Sequence, residues 1–579
     1  MKTRIRTSRR NERHGLMLAA LAVLLIAVTV RVLYLQVYAA PAFAERAEAQ
    51  RTRELEIAPR RGAILDRSGN PLALSIEART VYATPRLVTD TTATAQALAG
   101  VLGGDIDGYA EKLRRDSGFV YIARKLEMEK AAAVEALDLD GIGLIKDSRR
   151  LYPCGDLASQ LLGFVGIDDQ GLAGLELHYD SVLSGEAGYV LAERDPSGRI
   201  LPGGVIHEEK PVDGHDIVIS IDKDIQFAAQ YHLQAAVDKW QAKSASIVVM
   251  DPRSGEVLAI ASAPGFDPND FAQSEESARR NRAITDVYEP GSTLKSITSA
   301  AVVDAGIHEP DDTLELPPTI KVGGRTIKES EPRQTVTWSL TEILAQSSNV
   351  GTVLLGQALG PERLWEYLDR FGLTERTGID FPGEALGHVP PVNEWSGSSI
   401  GNIPFGQGVS MTTLQLARAL SAIANGGEMV SPHFLLDVPG RSDMEFEWPV
   451  RQVISAKAAA ATTRMLEAAV SDGTGASAAV PGHQVAGKTG TAQKPRTDGR
   501  GYAEGAYIAS FSGFLPAHDP QLLIVVMVDE PRGAIYGGAV AAPVFREVAS
   551  FAVAHLKIPP AVPASQVATD TVLPDTDEE

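Results

Sequence analysis

The chain has 579 residues, 44% hydrophobic and 22% charged, with a formal net charge of −20. That length exceeds one hydrophobic core, so two or more domains are expected, and the acidic balance, with no basic patch beyond the N-terminus, excludes a nucleic-acid partner. The single cysteine, Cys154, excludes a disulfide framework and any cysteine metal cluster, and the 11 histidines show no ligand-like spacing, so no metal or other cofactor is expected.

Met1–His14 carries six Lys/Arg against one acid, Glu12. Leu16–Val30 is then almost unbroken hydrocarbon, and Val32–Tyr38 continues it past Arg31. Residues 15–38 reach the ~20 that cross a bilayer. They are expected to form a single transmembrane anchor, with residues 1–14 a cytoplasmic basic tail. Ala42-Phe-Ala44 resembles a signal-peptide cleavage site, but the uninterrupted core ends at Val30, and an arginine and two tyrosines intervene. An uncleaved anchor is favoured, which puts the remaining chain outside the cytoplasm.

Residues 45–215 alternate short strands with polar helices. Arg60–Leu74 reads as strand, turn (Ser68-Gly-Asn-Pro71) and strand, and Leu126–Leu137 and Asp156–Phe164 as amphipathic helices. No nucleophile–base or ligand spacing occurs there, so a structural or docking module is expected, with Gly203–Gly214 as its linker. From 216 to 558 the composition changes. Ala245–Asp251 and Glu256–Ala263 flank Pro252-Arg-Ser-Gly255 as a hairpin. Helices are expected over much of Ser292–Leu359, and over Thr412–Asn425 and Ala458–Val470. Strands follow at Gln484–Gln493, Tyr507–Leu515 and Leu522–Asp529. Strands, then helices, then strands predict an α+β domain with an antiparallel sheet. Residues 559–579, rich in Pro, Ala, Thr and acids, are expected to be a disordered acidic tail.

The chemistry gathers around Tyr288-Glu-Pro-Gly-Ser292-Thr-Leu-Lys295. Pro290 and Gly291 break the preceding structure, and an apolar run follows as far as Gly306. If Ser292 opens a helix, Lys295 stands one turn away on the same face. A desolvated lysine can take the proton of a serine hydroxyl, and a helix start offers N–H groups to an oxyanion. A second Ser-x-x-Lys, Ser220-Ile-Asp-Lys223, continues an alternating strand, where residues three apart face opposite sides, so Ser220 is read as structural. Ser347-Ser-Asn349 and Lys488-Thr-Gly-Thr491 follow in order. Alone, Ser-x-Asn is weak, since Ser68-Gly-Asn70 matches it as well. Gly482-His-Gln-Val-Ala-Gly-Lys-Thr489 also fits a phosphate-loop pattern, but Gly490, Pro495 and Gly499 leave no room for the required helix, so nucleotide binding is set aside.

Ser-x-x-Lys, Ser-x-Asn and Lys-Thr-Gly in this order mark the penicillin-binding proteins and serine β-lactamases. Together with Arg60-Arg-Gly-Ala-Ile-Leu-Asp-Arg-Ser-Gly-Asn70, Gly171-Leu-Ala-Gly-Leu-Glu176, Met250-Asp-Pro-Arg-Ser-Gly-Glu-Val-Leu-Ala259, Gly406-Gln-Gly-Val-Ser410 and Tyr536-Gly-Gly538, the chain resembles a class B penicillin-binding protein. The resemblance implies a pedestal of the penicillin-binding-protein dimerisation type at 45–215. At 216–558 it implies the penicillin-recognising transpeptidase fold, a five-stranded sheet between helical layers. It implies that Ser292 is the nucleophile and Lys295 its base, that Ser347 relays the proton, and that Asn349 bonds Lys295 and the substrate backbone. Lys488 then supplies positive charge, also the candidate for depressing Lys295. Thr489 and Thr491 bind the substrate carboxylate, Gly490 leaves room for the extended peptide on an edge strand, and the N–H groups of Ser292 and Thr491 form the oxyanion hole. Leu294 and Ser296 depart from the family's usual wording, at positions read as packing.

The implied activity is D,D-transpeptidation of peptidoglycan stem peptides, with a carboxypeptidase, a β-lactamase or a β-lactam sensor as rivals. Ser-Ser-Asn-Val-Gly351 and Val485-Ala-Gly-Lys-Thr-Gly-Thr-Ala492 resemble the division type rather than the elongation type, which more often carries Ser-Cys-Asp. The absence of long C-terminal repeat modules points away from the sporulation and kinase-associated variants. The implied partners are a SEDS-family glycan polymerase and other division proteins, at the inner membrane, since the chain has no glycosyltransferase domain of its own.

Overall fold

The computed structural model describes residues 4–194, 200–441, 443–444, 446–496, 498 and 501–560. The expected tail therefore lies outside the described residues from 561 onward. A helix Arg4–Leu33 continues through a π-helical turn, Tyr34–Tyr38, and its segment Arg13–Tyr38 is long and apolar enough to cross a membrane.

The chain divides into two compact units, and the cut is not linear. One unit takes in Ile76–Arg149 and Gly185–Asp213 with the chain up to Arg60; the other takes in Arg61–Ser75, Arg150–Ser184 and the chain from Gly214. The expected single module at 45–215 is thus shared between them. In the first unit, helices Thr91–Leu102, Ile106–Leu113 and Met128–Glu135 enclose a small core of Val81, Leu98, Leu113, Ile122 and Val134. Asp90 and Asp105 cap the first two helices by accepting N–H bonds from the first turn. The expected linker at 203–214 is largely strand: Ile200–Glu209 pairs with Gly188–Arg194, which pairs with Thr52–Ile57. Backbone pairing of this kind needs no apolar pattern for a sequence reading to detect.

The second unit is built on one sheet. Its strands are β1 (Ser244–Met250), β2 (Val257–Ala263), β3 (Ala486–Pro495), β4 (Tyr502–Leu515) and β5 (Leu522–Asp529). Their order is β2-β1-β5-β4-β3, antiparallel throughout. β3, which carries Lys488–Thr491, is an edge strand. Helices α1 (Lys223–Trp240) and α7 (Ala542–His555) pack on one face. The other face meets a larger helical layer that includes α2 (Lys295–Asp304), α3 (Leu340–Ala345), α4 (Asn349–Leu359), α5 (Thr413–Ala424) and α6 (Ala456–Ser471). Alternate residues divide between the two cores. Ile247, Val249, Ile524 and Val526 join α1 and α7, whereas Val248, Met250, Leu523 and Val525 join α2 and α5. Burial on both faces is why these strands read as unbroken apolar runs.

Helix occupies less of Ser292–Leu359 than expected. Two antiparallel ribbons intervene, Thr313–Leu316 with Val336–Ser339, and Thr319–Val322 with Arg325–Lys328. The second closes through Gly323 and Gly324, both at positive φ (53° and 80°), as a tight two-residue hairpin requires.

Arg61, Arg150 and Glu176 form a charged cluster inside this unit. Glu176 is fully buried and receives Arg61 Nε at 2.6 Å and Arg150 Nε at 2.7 Å. Tyr152 donates to the same carboxylate, and the Arg61 guanidinium also reaches Asp180. This cluster joins the two stretches, around Arg60 and around Glu176, whose wording stood out in the sequence.

Candidate active site

Ser292 lies in a 3₁₀ turn, Gly291–Leu294, that runs directly into α2. From Gly291 to Val303 it is the one residue that is not buried. Gly291 has φ +55°, and a side chain there would press on Thr491 and Ala492, so the bare glycine lets the serine turn lie against β3. Gly291 N–H donates to Gly406 O, and Glu289 accepts from Gly408 N–H and from the Tyr502 hydroxyl, which fixes the turn from its other side.

Lys295 is completely buried. Its Nζ donates to Ser347 O (2.6 Å), Ser347 Oγ (3.3 Å) and Asn349 Oδ1 (2.8 Å). The first two sequence motifs therefore meet at this ammonium. Among the described residues no hydrogen bond reaches the Ser292 hydroxyl. Catalytic bonds of this kind often tighten only around substrate. Burial lowers Lys295 to about 7, against an opposing pull from Glu329.

Lys488 is 1% exposed and donates to Thr474 Oγ1, Thr489 O and Thr489 Oγ1, each at 3.3 Å. It is held well below the usual lysine range, by burial first and by the Lys295 charge second. Burial is the largest cause at Lys295, and the repulsion between two buried lysine charges is mutual, so Lys488 stays the candidate positive charge beside it. Gly490, on the same strand, is closely packed. The space that a Cβ would take there is filled by Ser510 Oγ, at 2.2 Å, and by Pro290 O and Thr293 Cγ2 at 3.0 Å, so the glycine admits the protein's own serine turn. Thr491 Oγ1 accepts from Gly537 N–H, and Thr489 Oγ1 bonds Thr474 Oγ1 at 2.7 Å.

Two residues at the site escaped the sequence reading. Thr474 sits in the Gly-rich loop between α6 and β3. Glu329 accepts from Ser348 Oγ and Asn349 N–H, both at 2.6 Å. Ser220, by contrast, is buried and donates to Val257 O, as a structural serine does. Gly482–Thr489 leads into β3 and not into a helix, which removes the phosphate-loop reading. Asp222, Asp224 and His555 have ligand atoms within 4.8 Å of one another, although nothing in their spacing indicated it. Asp222 caps α1 there and pairs with His555.

Leu294 and Ser296 are both buried, as packing positions should be, but Ser296 Oγ has no hydrogen-bond partner. Ser296→Ala is expected to stabilise the protein by about 1 kcal/mol. Chemical denaturation checks this; a loss of stability would show that the hydroxyl is satisfied in solution.

The family model described as the penicillin binding protein transpeptidase domain matches residues 245–550, and that of the penicillin-binding protein dimerisation domain matches 56–219. The chain belongs to the class B penicillin-binding proteins. This penicillin-binding protein is 36% identical to penicillin-binding protein PbpB of Mycobacterium tuberculosis, over 94% of this chain and 85% of that one. It is 34% identical to peptidoglycan D,D-transpeptidase FtsI of Escherichia coli, over 94% and 91%. The crystal structure of M. tuberculosis penicillin-binding protein 3 complexed with aztreonam superposes with a TM-score of 0.70 at 32% identity, covering 88% of this chain and 99% of that one.

Proposed function

We propose that this penicillin-binding protein is a peptidoglycan D,D-transpeptidase that works through an acyl-enzyme on Ser292. The observation that carries the reading is the pairing of one accessible serine with a buried lysine, one turn away, whose pKa lies near 7. In this reading neutral Lys295 takes the Ser292 proton as Oγ attacks the carbonyl of the penultimate D-Ala. The N–H groups of Ser292 and Thr491 receive the oxyanion. Collapse breaks the peptide bond, and the departing D-Ala amine takes a proton through Ser347. The amine of a second stem peptide then attacks the ester, which restores the Ser292 hydroxyl and forms the cross-link. Asn349 aligns the substrate backbone; Lys488, Thr489, Gly490 and Thr491 line the position of its carboxylate. Fluorescent penicillin should label the wild type and leave Ser292→Ala dark; equal labelling of both overturns the assignment. Muropeptide analysis then separates cross-linked product from trimmed stems, the outcome for a carboxypeptidase, and from no product, the outcome for a sensor.

The wording around Ser347 and Lys488, and relatives such as FtsI, support a septal role. In that role the N-terminal helix is a single-pass inner-membrane anchor with its basic end in the cytoplasm, and the partners are a SEDS-family polymerase and division proteins. Depletion in the host is expected to give filaments with unfinished septa; swelling, rounded cells that still divide would assign the protein to elongation instead.

A further inference from the structure

Glu329 follows the strand Arg325–Lys328, and its side chain is 8% exposed. Both of its oxygens are engaged. Oε1 accepts from the Ser348 hydroxyl and from Arg333 Nη2, and Oε2 accepts from Asn349 N–H, all at 2.6 Å. Asn349 Nδ2 also donates to Lys328 O at 3.1 Å, beside the same carboxylate. The turn that these bonds hold begins at Ser347, a non-glycine residue at φ +56°, a conformation that a serine keeps only when its surroundings impose it. It is this turn that aims Ser347 O, Ser347 Oγ and Asn349 Oδ1 at Lys295 Nζ.

We propose that Glu329 is a positioning residue for the transpeptidation reaction: its carboxylate locks the Ser347–Asn349 turn that holds Lys295 Nζ in place. The inference rests on the role given above to Lys295. The groups facing Lys295 are Ser347 and Asn349 from the turn, Glu329 from the loop after the ribbon, and Lys488 from β3. Arg333 faces Glu329 and is paired with it. Of these, Glu329 is the group whose charge holds the proton on Lys295 against burial. Glutamine in its place keeps one acceptor oxygen and turns the other into an NH₂ donor. Either Asn349 N–H, or Ser348 with Arg333, then loses its acceptor, and the negative charge opposite Lys295 is gone.

The test is the rate of acylation by fluorescent penicillin across about pH 5 to 9, on the full-length protein in detergent. In Glu329→Gln the plateau rate is expected to fall roughly tenfold, and the acidic limb to move about one pH unit lower. Glu329→Asp keeps the charge with a shorter reach, so its plateau falls and its limb stays in the wild-type place. A wild-type profile for Glu329→Gln overturns the proposal, and so does a lowered rate with an unmoved limb, the mark of a merely structural residue. Should Glu329→Gln fail to fold, Glu329→Asp decides alone: a limb displaced with the charge still present overturns the proposal. Failure of the underlying function is distinguishable in the same gel, as a wild type that stays unlabelled or a Ser292→Ala that labels equally.

Discussion

Lys295→Arg is expected to cut acylation of Ser292 by roughly a hundred- to ten-thousandfold, the range of a lost general base. Arginine keeps a positive charge at the end of the side chain but does not give up its proton in a protein. The wild type has a lysine near 7, so its neutral, competent fraction is about half there and falls tenfold for each pH unit below. The wild-type rate therefore rises with pH through about 7, and the arginine variant has no such limb. Thermal unfolding of the variant checks that the fold persists, because Nζ also bonds Ser347 and Asn349. An acylation rate near the wild type's in a folded Lys295→Arg would remove lysine from the chemistry.

Glu176→Ala is expected to destabilise the catalytic unit by about 3–5 kcal/mol, since it leaves two buried guanidinium groups without their shared carboxylate. Arg61 and Arg150 side chains are 1% and 2% exposed, so water cannot replace the lost partner. Asp180 still pairs with Arg61, but Arg150 keeps only neutral acceptors such as Gly62 O. Urea unfolding of the full chain measures the loss. A change under about 1 kcal/mol would show that the cluster relaxes to solvent.

Much of the catalytic unit was legible because its signals are local. β1, β2 and β5 are apolar on both faces, and α5 and α6 begin at side-chain caps, Thr412 and Ser455. Ser292, Lys295, Ser347, Asn349 and Lys488 stand in order, and the fold brings their motifs together. What escaped was non-local. Glu329 is one of 74 acids, and nothing beside it in sequence marks its bonds to residues 19 and 20 positions later. Thr474 meets Thr489 only through tertiary packing. The Gly323-Gly324 turn was legible in principle, because paired glycines between β-branched and charged residues mark a hairpin. The helical stretches expected over much of Ser292–Leu359 obscured it.

The discontinuous division of the chain decides where a working soluble fragment has to begin. A cut at residue 216 looks natural from composition, yet it discards Arg61–Ser75 and Arg150–Ser184, which belong to the catalytic unit. Ile64 and Leu65 pair in parallel with Ile217 and Val218, and Leu161, Leu162, Leu175 and Leu183 sit in the same core as Ile297 and Leu414. A fragment from 216 would present those apolar contacts to water and expose unpaired strand backbone, an invitation to aggregate. A protease or an expression vector can remove the apolar N-terminal helix without that loss, provided the chain still starts ahead of Arg60.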